Sequence, residues 1–438
     1  MAGTSWFSTV RPPRTAAWVC AARSRTRSTT ARRSSSSPDA RRTVGSRRGR
    51  SLTMPCRTRS TRSRSPRRLP GWRARALRRC NRLVVVSVAV PTWPDLLTRL
   101  LAREDLSLDE ARWAMTRIMG GEASSAQVAG FLMALRSKVE SVAEVRGLAD
   151  VMLEHAHRIE VPGESMDIVG TGGDRFGTVN ISTMSSVVIA STGLRVVKHG
   201  NRAASSKSGS ADVLESLGVN LTLTPEQVRQ VALDAGITFC FAQTFHPSMR
   251  HAGPARAELG VATAFNLLGP LTNPAQPRYA AVGVADVRFL PIIAGVFADR
   301  GTTAAVFRGD EGLDEMSIAG PTTLLWVRDA QVTEMSVQPS DVGLTVSTID
   351  SIKGGLADQN AEVARSVFAG DKGPARDAVL LNTGTALAVA AGAAGTSAAE
   401  IHEAIRSGVE RAAHAIDSGQ AAAQLERWVT ASRTVADN

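Results

Sequence analysis

Pro162-Gly163 divides the chain into two textures, and that division constrains the fold more than any other feature. Upstream, Ser107-Leu108-Asp109-Glu110, Ser124-Ser125-Ala126-Gln127 and Ser141-Val142-Ala143-Glu144 each match the capping box. Each opens a run of apolar residues at helical spacing. The stretch 126–135 is apolar around most of its circumference, so its helix should be buried. Four short helices over 92–160 are predicted, a small all-α unit. Downstream, short apolar runs at 166–169, 195–198, 237–242, 280–284 and 304–307 alternate with helical segments. Thr224-Pro225-Glu226-Gln227 is a further helix start, with Pro225 in its first turn. This alternation predicts an α/β class, with a larger α/β domain over 163–435 built on a mainly parallel sheet. Strand and Pro/Ser loop text near 321–350 gives way to Ala-rich helices over 356–438, one capped at Ser397-Ala398-Ala399-Glu400.

Residues 1–88 belong to neither texture. Of 52 basic residues, 23 fall within residues 1–82, all arginine, against a single acid, Asp39. That segment is therefore +22, and the rest, with 29 basic and 39 acidic residues, is −10. The overall +12 describes a tail and says little about the folded part. Arg/Ser repeats with almost no apolar period cannot bury enough surface to offset chain entropy, so disorder is expected. Three readings are open: a basic arm for nucleic acid, an organelle transit peptide, or translated upstream sequence with the true start near Val84–Val90. Arginine without lysine is codon bias of a GC-rich genome, which favours the third. Cys20, Cys56 and Cys80 lie in this tail, leaving Cys240 in an apolar run as a buried small hydrophobe. Neither a metal-type cysteine spacing nor a disulfide framework is present, and no run of eighteen apolar residues suggests a membrane span. A cytoplasmic location and no specific nucleic-acid partner are expected.

Four stretches carry chemistry. The first is Gly170-Thr171-Gly172-Gly173-Asp174, at the end of an apolar strand. The third glycine of a dinucleotide fingerprint would fall at Arg175, and no Gly-Lys-Ser/Thr ending makes it a P-loop. A turn without Cβ atoms lets a ligand approach the backbone, and its amides form an anion-binding concavity. Asn180-Ile181-Ser182-Thr183 follows at a helix start, a second seat for phosphate. Alone, either piece also reads as a tight turn with an ordinary cap; together they suggest a polyphosphate. The second stretch, 198–210, combines Lys198, His199, Gly200, Asn201 and Arg202 with a serine cluster, and reads as a phosphate loop or a polar flexible loop. The third, Asp310 to Glu315, places adjacent carboxylates after a strand. They need a cation unless they lie in a solvated acidic loop, and magnesium held by one or two carboxylates plus substrate phosphates fits. The fourth couples the His/Arg-rich turn His246–Arg256 to Phe265–Pro274. Arginine there could grip a carboxylate bidentately beside a rigid apolar pocket wall; a surface helix with scattered charge is the alternative.

Taken in order and spacing, these pieces resemble the anthranilate phosphoribosyltransferases from about residue 92 to 435; the tail has no counterpart. The resemblance implies a helical small domain, a larger α/β domain and a homodimer formed through the small domains. It implies phosphoribosyl pyrophosphate and anthranilate as substrates and Mg2+, two per monomer. It assigns Gly170, Gly172, Gly173, Asp174, Thr178, Asn180, Ser182, Thr183, Lys198, Asn201, Ser205 and Ser210 to phosphoribosyl pyrophosphate. Gly170, His199, Asn201, Ala242, His246 and Arg256 go to anthranilate, and Ser182, Asp314 and Glu315 to metal. Gln243 stands where proline is frequent in the family. No residue is assigned as a general base. Two rivals share the architecture: a pyrimidine nucleoside phosphorylase, which would not need the acidic pair, and a non-catalytic nucleic-acid-binding relative, whose folded part should be basic.

Overall fold

The computed structural model describes residues 90–202, 207–392 and 397–437. The expectation of a disordered tail over 1–88 therefore lies outside the described residues. Four helices come first: α1 (Trp93–Leu101), α2 (Leu108–Met119), α3 (Ser125–Lys138) and α4 (Val142–Glu154). The boxes at Ser107, Ser124 and Ser141 all close reciprocally, each hydroxyl accepting the N3 backbone N–H while the N3 side chain accepts the cap's own. Local chemistry thus sets these three starts.

The α/β part runs β1 (Ser165–Gly170), α5 (Ile181–Ser191), β2 (Arg195–Gly200), α6 (Ser210–Leu217), α7 (Pro225–Ala235) and β3 (Ile237–Phe241). Short helices α8 (Ala242–Phe245), α9 (Gly253–Leu259) and α10 (Phe265–Leu268) follow. Then come β4 (Tyr279–Gly283), α11 (Leu290–Arg300), β5 (Thr303–Gly309), β6 (Thr322–Arg328) and β7 (Gln331–Val337). The chain closes with α12 (Ala357–Phe368), α13 (Pro374–Ala390), α14 (Ala398–Asp417) and α15 (Gln420–Asp437).

One seven-stranded sheet has the order β3-β2-β1-β4-β5-β6-β7. The first five strands are parallel, and β6 and β7 add an antiparallel edge. Alternation divides the sheet's faces. Tyr279, Ala281, Ala305, Phe307, Leu324 and Trp326 join a core with α5, α7 and α13–α15. Ala280, Val282, Ala304, Val306, Leu325 and Val327 join one with α1–α4 and α11. The helical layer therefore shares its core with one face of the sheet. Both faces are covered, as parallel strands require. Cys240 is fully buried on β3, as expected of a small hydrophobe.

Connectivity locates the crevice. From β1 the chain moves outward through β2 to β3, then returns to place β4 on β1's other side. The order reverses between β1 and β4, where open α/β sheets bind ligands at the strands' carboxyl ends.

Candidate active site at the carboxyl ends of the strands

Glycine ends both strands at this crevice. Gly170 of β1 is in register with Gly283 of β4, and the loop carrying Asp314 and Glu315 passes directly over them. A Cβ on Gly170 would lie 2.3 Å from Asp314 Oδ2, and one on Gly283 would lie 1.7 Å from the Asp314 carbonyl oxygen. The bare strand ends thus make room for the acidic loop. Gly172 and Gly173, at φ 72° and 91°, have nothing within 4 Å of their Cβ positions, so the open side of the turn is theirs. The Gly172 N–H donates to Asp314 Oδ2 at 2.6 Å, and the Ser182 N–H donates to Glu315 Oε1 at 3.2 Å. The acidic loop therefore pins the glycine turn to the start of α5, although it lies more than 130 residues further along the chain than either.

Both carboxylates are buried. Burial, with Asp174 adding repulsion, pushes the Asp314 carboxyl up to about 7. Burial and Asp314 push Glu315 well above the usual range, and Lys198 only partly opposes this. The pair is short of positive charge, and its hard oxygen donors suit magnesium. Among the described residues, no group of three or more His, Cys, Asp or Glu is placed to hold a metal by itself. Asp174 acts on Asp314 through charge without closing a ligand set, so substrate oxygens would have to complete the coordination.

The other expected phosphate residues take differentiated positions. Thr178 bridges to Lys353, and the Gly354 N–H donates to the Gly177 carbonyl, tying the turn's downstream arm to residues 352–354. Asn180 caps α5 without a side-chain cap bond. Its amide spans two elements instead, accepting from Asn360 Nδ2 at 2.8 Å and donating to the Ser208 carbonyl at 3.3 Å. Thr183 is fully buried, and its hydroxyl has no partner among the described residues. Lys198 is also fully buried; its ammonium donates to the Ile168 carbonyl and to Ser182 Oγ. Burial pushes that ammonium down, with Asp167 and Glu315 opposing. Asn201 is exposed and Ser210 opens α6; Ser205 lies outside the described residues. Arg202, read in the sequence as charge for a phosphate, is instead tied to Glu215 at 2.8 Å and to Asp212 at 3.1 Å.

Beside this turn a cavity of about 340 Å³ is lined by Gly170, His199, Asn201, Ala242, His246 and Arg256. Gln243, Met152 of α4 and Phe265 also line it. Arg256 lies 5.1 Å from the Phe265 ring and pairs with no carboxylate among the described residues. Burial pushes its pKa down. A desolvated guanidinium against an aromatic wall is suited to a planar organic anion. The His199 and His246 rings sit 5.1 Å apart. Burial holds His199 down to about 4 and His246 down to about 3, so both are neutral near pH 7. His199 Nδ1 lies 3.0 Å from the Gly269 carbonyl. Neither His246 nitrogen has a partner among the described residues, although the Thr272 and Met152 carbonyls lie near enough to oppose its shift. A larger cavity, about 610 Å³, opens at the amino ends of β4 and β5. Most of its charges are already paired, Arg112 with Glu154, Arg146 with Asp299 and Arg300 with Asp150. The smaller cavity is the one that meets the glycine turn.

Sequence reasoning did not single out Asp167, Asn360, Lys353 or Met152. Their partners come from other elements, so only the hydrophobic run around Met152 left a local signal. No helix among the described residues is long and apolar enough to cross a membrane.

Known proteins agree with this geometry. Residues 162–422 match the glycosyl transferase family a/b domain, and 94–156 match its helical bundle domain. An anthranilate phosphoribosyltransferase of Streptomyces griseus is 57% identical over 346 residues, covering 79% of this chain and 97% of the relative. The crystal structure of the Thermus thermophilus enzyme of that name has a TM-score of 0.71 at 39% identity, covering 77% of this chain and 99% of its own. The Saccharomyces cerevisiae enzyme, solved with phosphoribosyl pyrophosphate and magnesium, also gives 0.71, at 27% identity over 78% of this chain and 98% of its own. With a cleft of this chemistry at the sheet's switch point, and that degree of likeness along nearly the whole described chain, this protein belongs to the anthranilate phosphoribosyltransferase family.

Proposed function

We propose that the cleft transfers the phosphoribosyl group of phosphoribosyl pyrophosphate to the amine of anthranilate. The products are N-(5-phosphoribosyl)anthranilate and pyrophosphate, a step of tryptophan biosynthesis. One observation carries the reading: Gly170 belongs at once to the turn under the buried acidic pair and to the wall of the Arg256 cavity. A donor held on the turn is thereby brought next to an acceptor held in the cavity.

The residues divide the work. The backbone of Gly172, Gly173 and Asp174, with Thr178, Asn180, Ser182 and Thr183, holds the pyrophosphate end. Asn201 and Ser210 face the phosphoribosyl unit, with Lys198 supporting Ser182 and Glu315 from beneath. Ser182, Asp314 and Glu315 would hold magnesium, two ions per monomer. Magnesium supplies Lewis-acid stabilisation of charge growing on the leaving pyrophosphate. Arg256 grips the anthranilate carboxylate, and neutral His199 and His246, with Ala242, line the ring's pocket. As the bond from the anomeric carbon to pyrophosphate breaks, the amine nitrogen bonds to that carbon and its proton passes to solvent. An aromatic amine bonded to carbon loses its proton readily, so catalysis rests on positioning and electrostatics without a strong base. In this reading 92–160 is the helical domain that pairs two copies, 163–435 is the catalytic domain, and the protein works in the cytoplasm.

The test follows anthranilate fluorescence with phosphoribosyl pyrophosphate and magnesium, for the full chain and for residues 88–438. Magnesium-dependent loss of signal, abolished by chelator, is expected in both; folded protein without loss overturns the reading. In the same assay Arg256→Ala should raise KM for anthranilate by roughly 10-fold or more, the scale of a lost charge-assisted hydrogen bond. KM for phosphoribosyl pyrophosphate should change little. Equal losses for both substrates would remove Arg256 from the acceptor site.

A further inference from the structure

The ladder between β1 and β2 is cut short. It holds only at Ser165 with Arg195 and Met166 with Val196. On the other sides, β1 pairs with β4 as far as Gly170 and β2 pairs with β3 as far as Gly200. Past Met166 the two strands part, and side chains replace the missing backbone bonds. Asp167 Oδ1 accepts the His199 N–H at 3.2 Å. Asn273 Nδ2 donates to Asp167 Oδ2 at 2.8 Å and to the Val197 carbonyl at 2.7 Å. The Lys198 ammonium meets the Ile168 carbonyl. Asp167 is 3% exposed and Asn273 is 4% exposed.

This arrangement is poor design for stability alone. Continuing the ladder would satisfy the same backbone groups without burying a carboxylate, which is costly even when hydrogen-bonded. What the parting creates is the acceptor cavity. Gly170 from β1, His199 and Asn201 at the end of β2, and Gly269 and Pro270 from the segment carrying Asn273 all line it. Asp167 is the node where these walls meet: on β1 itself, it holds β2 through the His199 amide and the third wall through Asn273. The His199 ring in turn lies 3.0 Å from the Gly269 carbonyl.

We propose that Asp167 and Asn273 are positioning residues for the acceptor, holding β1, β2 and the 265–274 segment at the separation that shapes the anthranilate cavity. The inference rests on the acceptor reading above. Neither side chain lines the cavity itself, so their effect is transmitted through the walls they hold.

The experiment measures both KM values and kcat for full-chain Asn273→Ala, Asp167→Asn and the double variant beside wild type. Asn273→Ala unties the third wall and leaves the charge near Lys198 unchanged. It should raise KM for anthranilate by about tenfold, the scale of a lost buried hydrogen bond, and leave KM for phosphoribosyl pyrophosphate within about twofold. Asp167→Asn keeps an acceptor for His199 but turns an amide donor toward the Asn273 donor, so it should raise the same KM. The double variant should fall short of the product of the two effects, because both break one contact. An unchanged anthranilate KM, an equal rise in both KM values, or a loss confined to kcat would overturn the proposal. Should Asn273→Ala fail to fold, Asn273→Ser, which also leaves the charge near Lys198 unchanged, carries the same readout; if neither folds, the pair is structural and the proposal fails. An inactive wild type would instead overturn the transferase reading.

Discussion

Asp314→Asn combined with Glu315→Gln is expected to lose roughly 10²–10³-fold or more in kcat/KM at saturating magnesium, the scale of removing a transition-state charge stabiliser. It is also expected to raise the thermal midpoint of the metal-free protein. The two effects have one cause. Burial holds Asp314 at about 7 and Glu315 well above its usual range, so ionising them works against the fold. The sign follows from linkage: a group whose folded pKa is raised gives stability that is lost as pH rises through that value. For Asp314 the loss accrues from near pH 4 up to about pH 7. The amides escape it, so their advantage should be small in acid and largest above pH 7. The Gly172 and Ser182 amide donors can still bond an amide oxygen, so the loop stays in place. A stabilisation of about 1 kcal/mol would raise the midpoint by roughly 1–2 °C in a folded part of this size. Magnesium should stabilise wild type and leave the variant unmoved. Scanning calorimetry at pH 5 and pH 8, with and without magnesium, checks this; a variant less stable than wild type at pH 8 would refute the account.

Gly283→Ala is expected to damage both fold and activity, and Gly170→Ala chiefly activity. The Cβ added at 283 would fall 1.7 Å from a backbone oxygen, that of Asp314, which can move only if the whole acidic loop shifts. The cost should be that of a severe overpacking, roughly 1–3 kcal/mol or more. At 170 the clash, 2.3 Å, is with the Asp314 carboxylate itself. That side chain can swing away, sparing the fold but leaving the metal position and the Gly172 amide. A roughly 10²-fold loss of activity is expected there. Gly320→Ala is the control: no neighbour lies within 4 Å of its Cβ, and surface changes of that kind stay within about 0.5 kcal/mol. Urea unfolding and steady-state rates measured on the three variants separate the effects. A Gly283→Ala protein as stable and active as Gly320→Ala would show that the loop does not sit where the strands place it.

Much of the architecture was legible because it is written in local chemistry. The cap at Ser107 closes with Glu110 three residues on, and the short apolar run at 280–284 reads as a strand from its own residues. The composition of the glycine turn, the acidic pair and the His/Arg block was legible as well, since each lies within a few residues. Their roles were less so. Arg202 reads as charge for a phosphate until Glu215 and Asp212 are seen to hold it, and Lys198 reads as charge for a phosphate until its ammonium is found buried against the Ile168 carbonyl and Ser182.

The sequence by itself determined the elements, their class and the residue types of the cleft, because helix caps, hydrophobic period and turn glycines act over a handful of positions. Tertiary structure alone decided that Gly170 and Gly283 are bare for the sake of Asp314, that β1 and β2 part at Asp167, and that Asn180 is held by Asn360. Each joins residues separated by 30 to 180 positions in the chain. Such contacts follow from strand order and from the burial of polar groups that must find partners wherever the fold supplies them, and no local pattern encodes that.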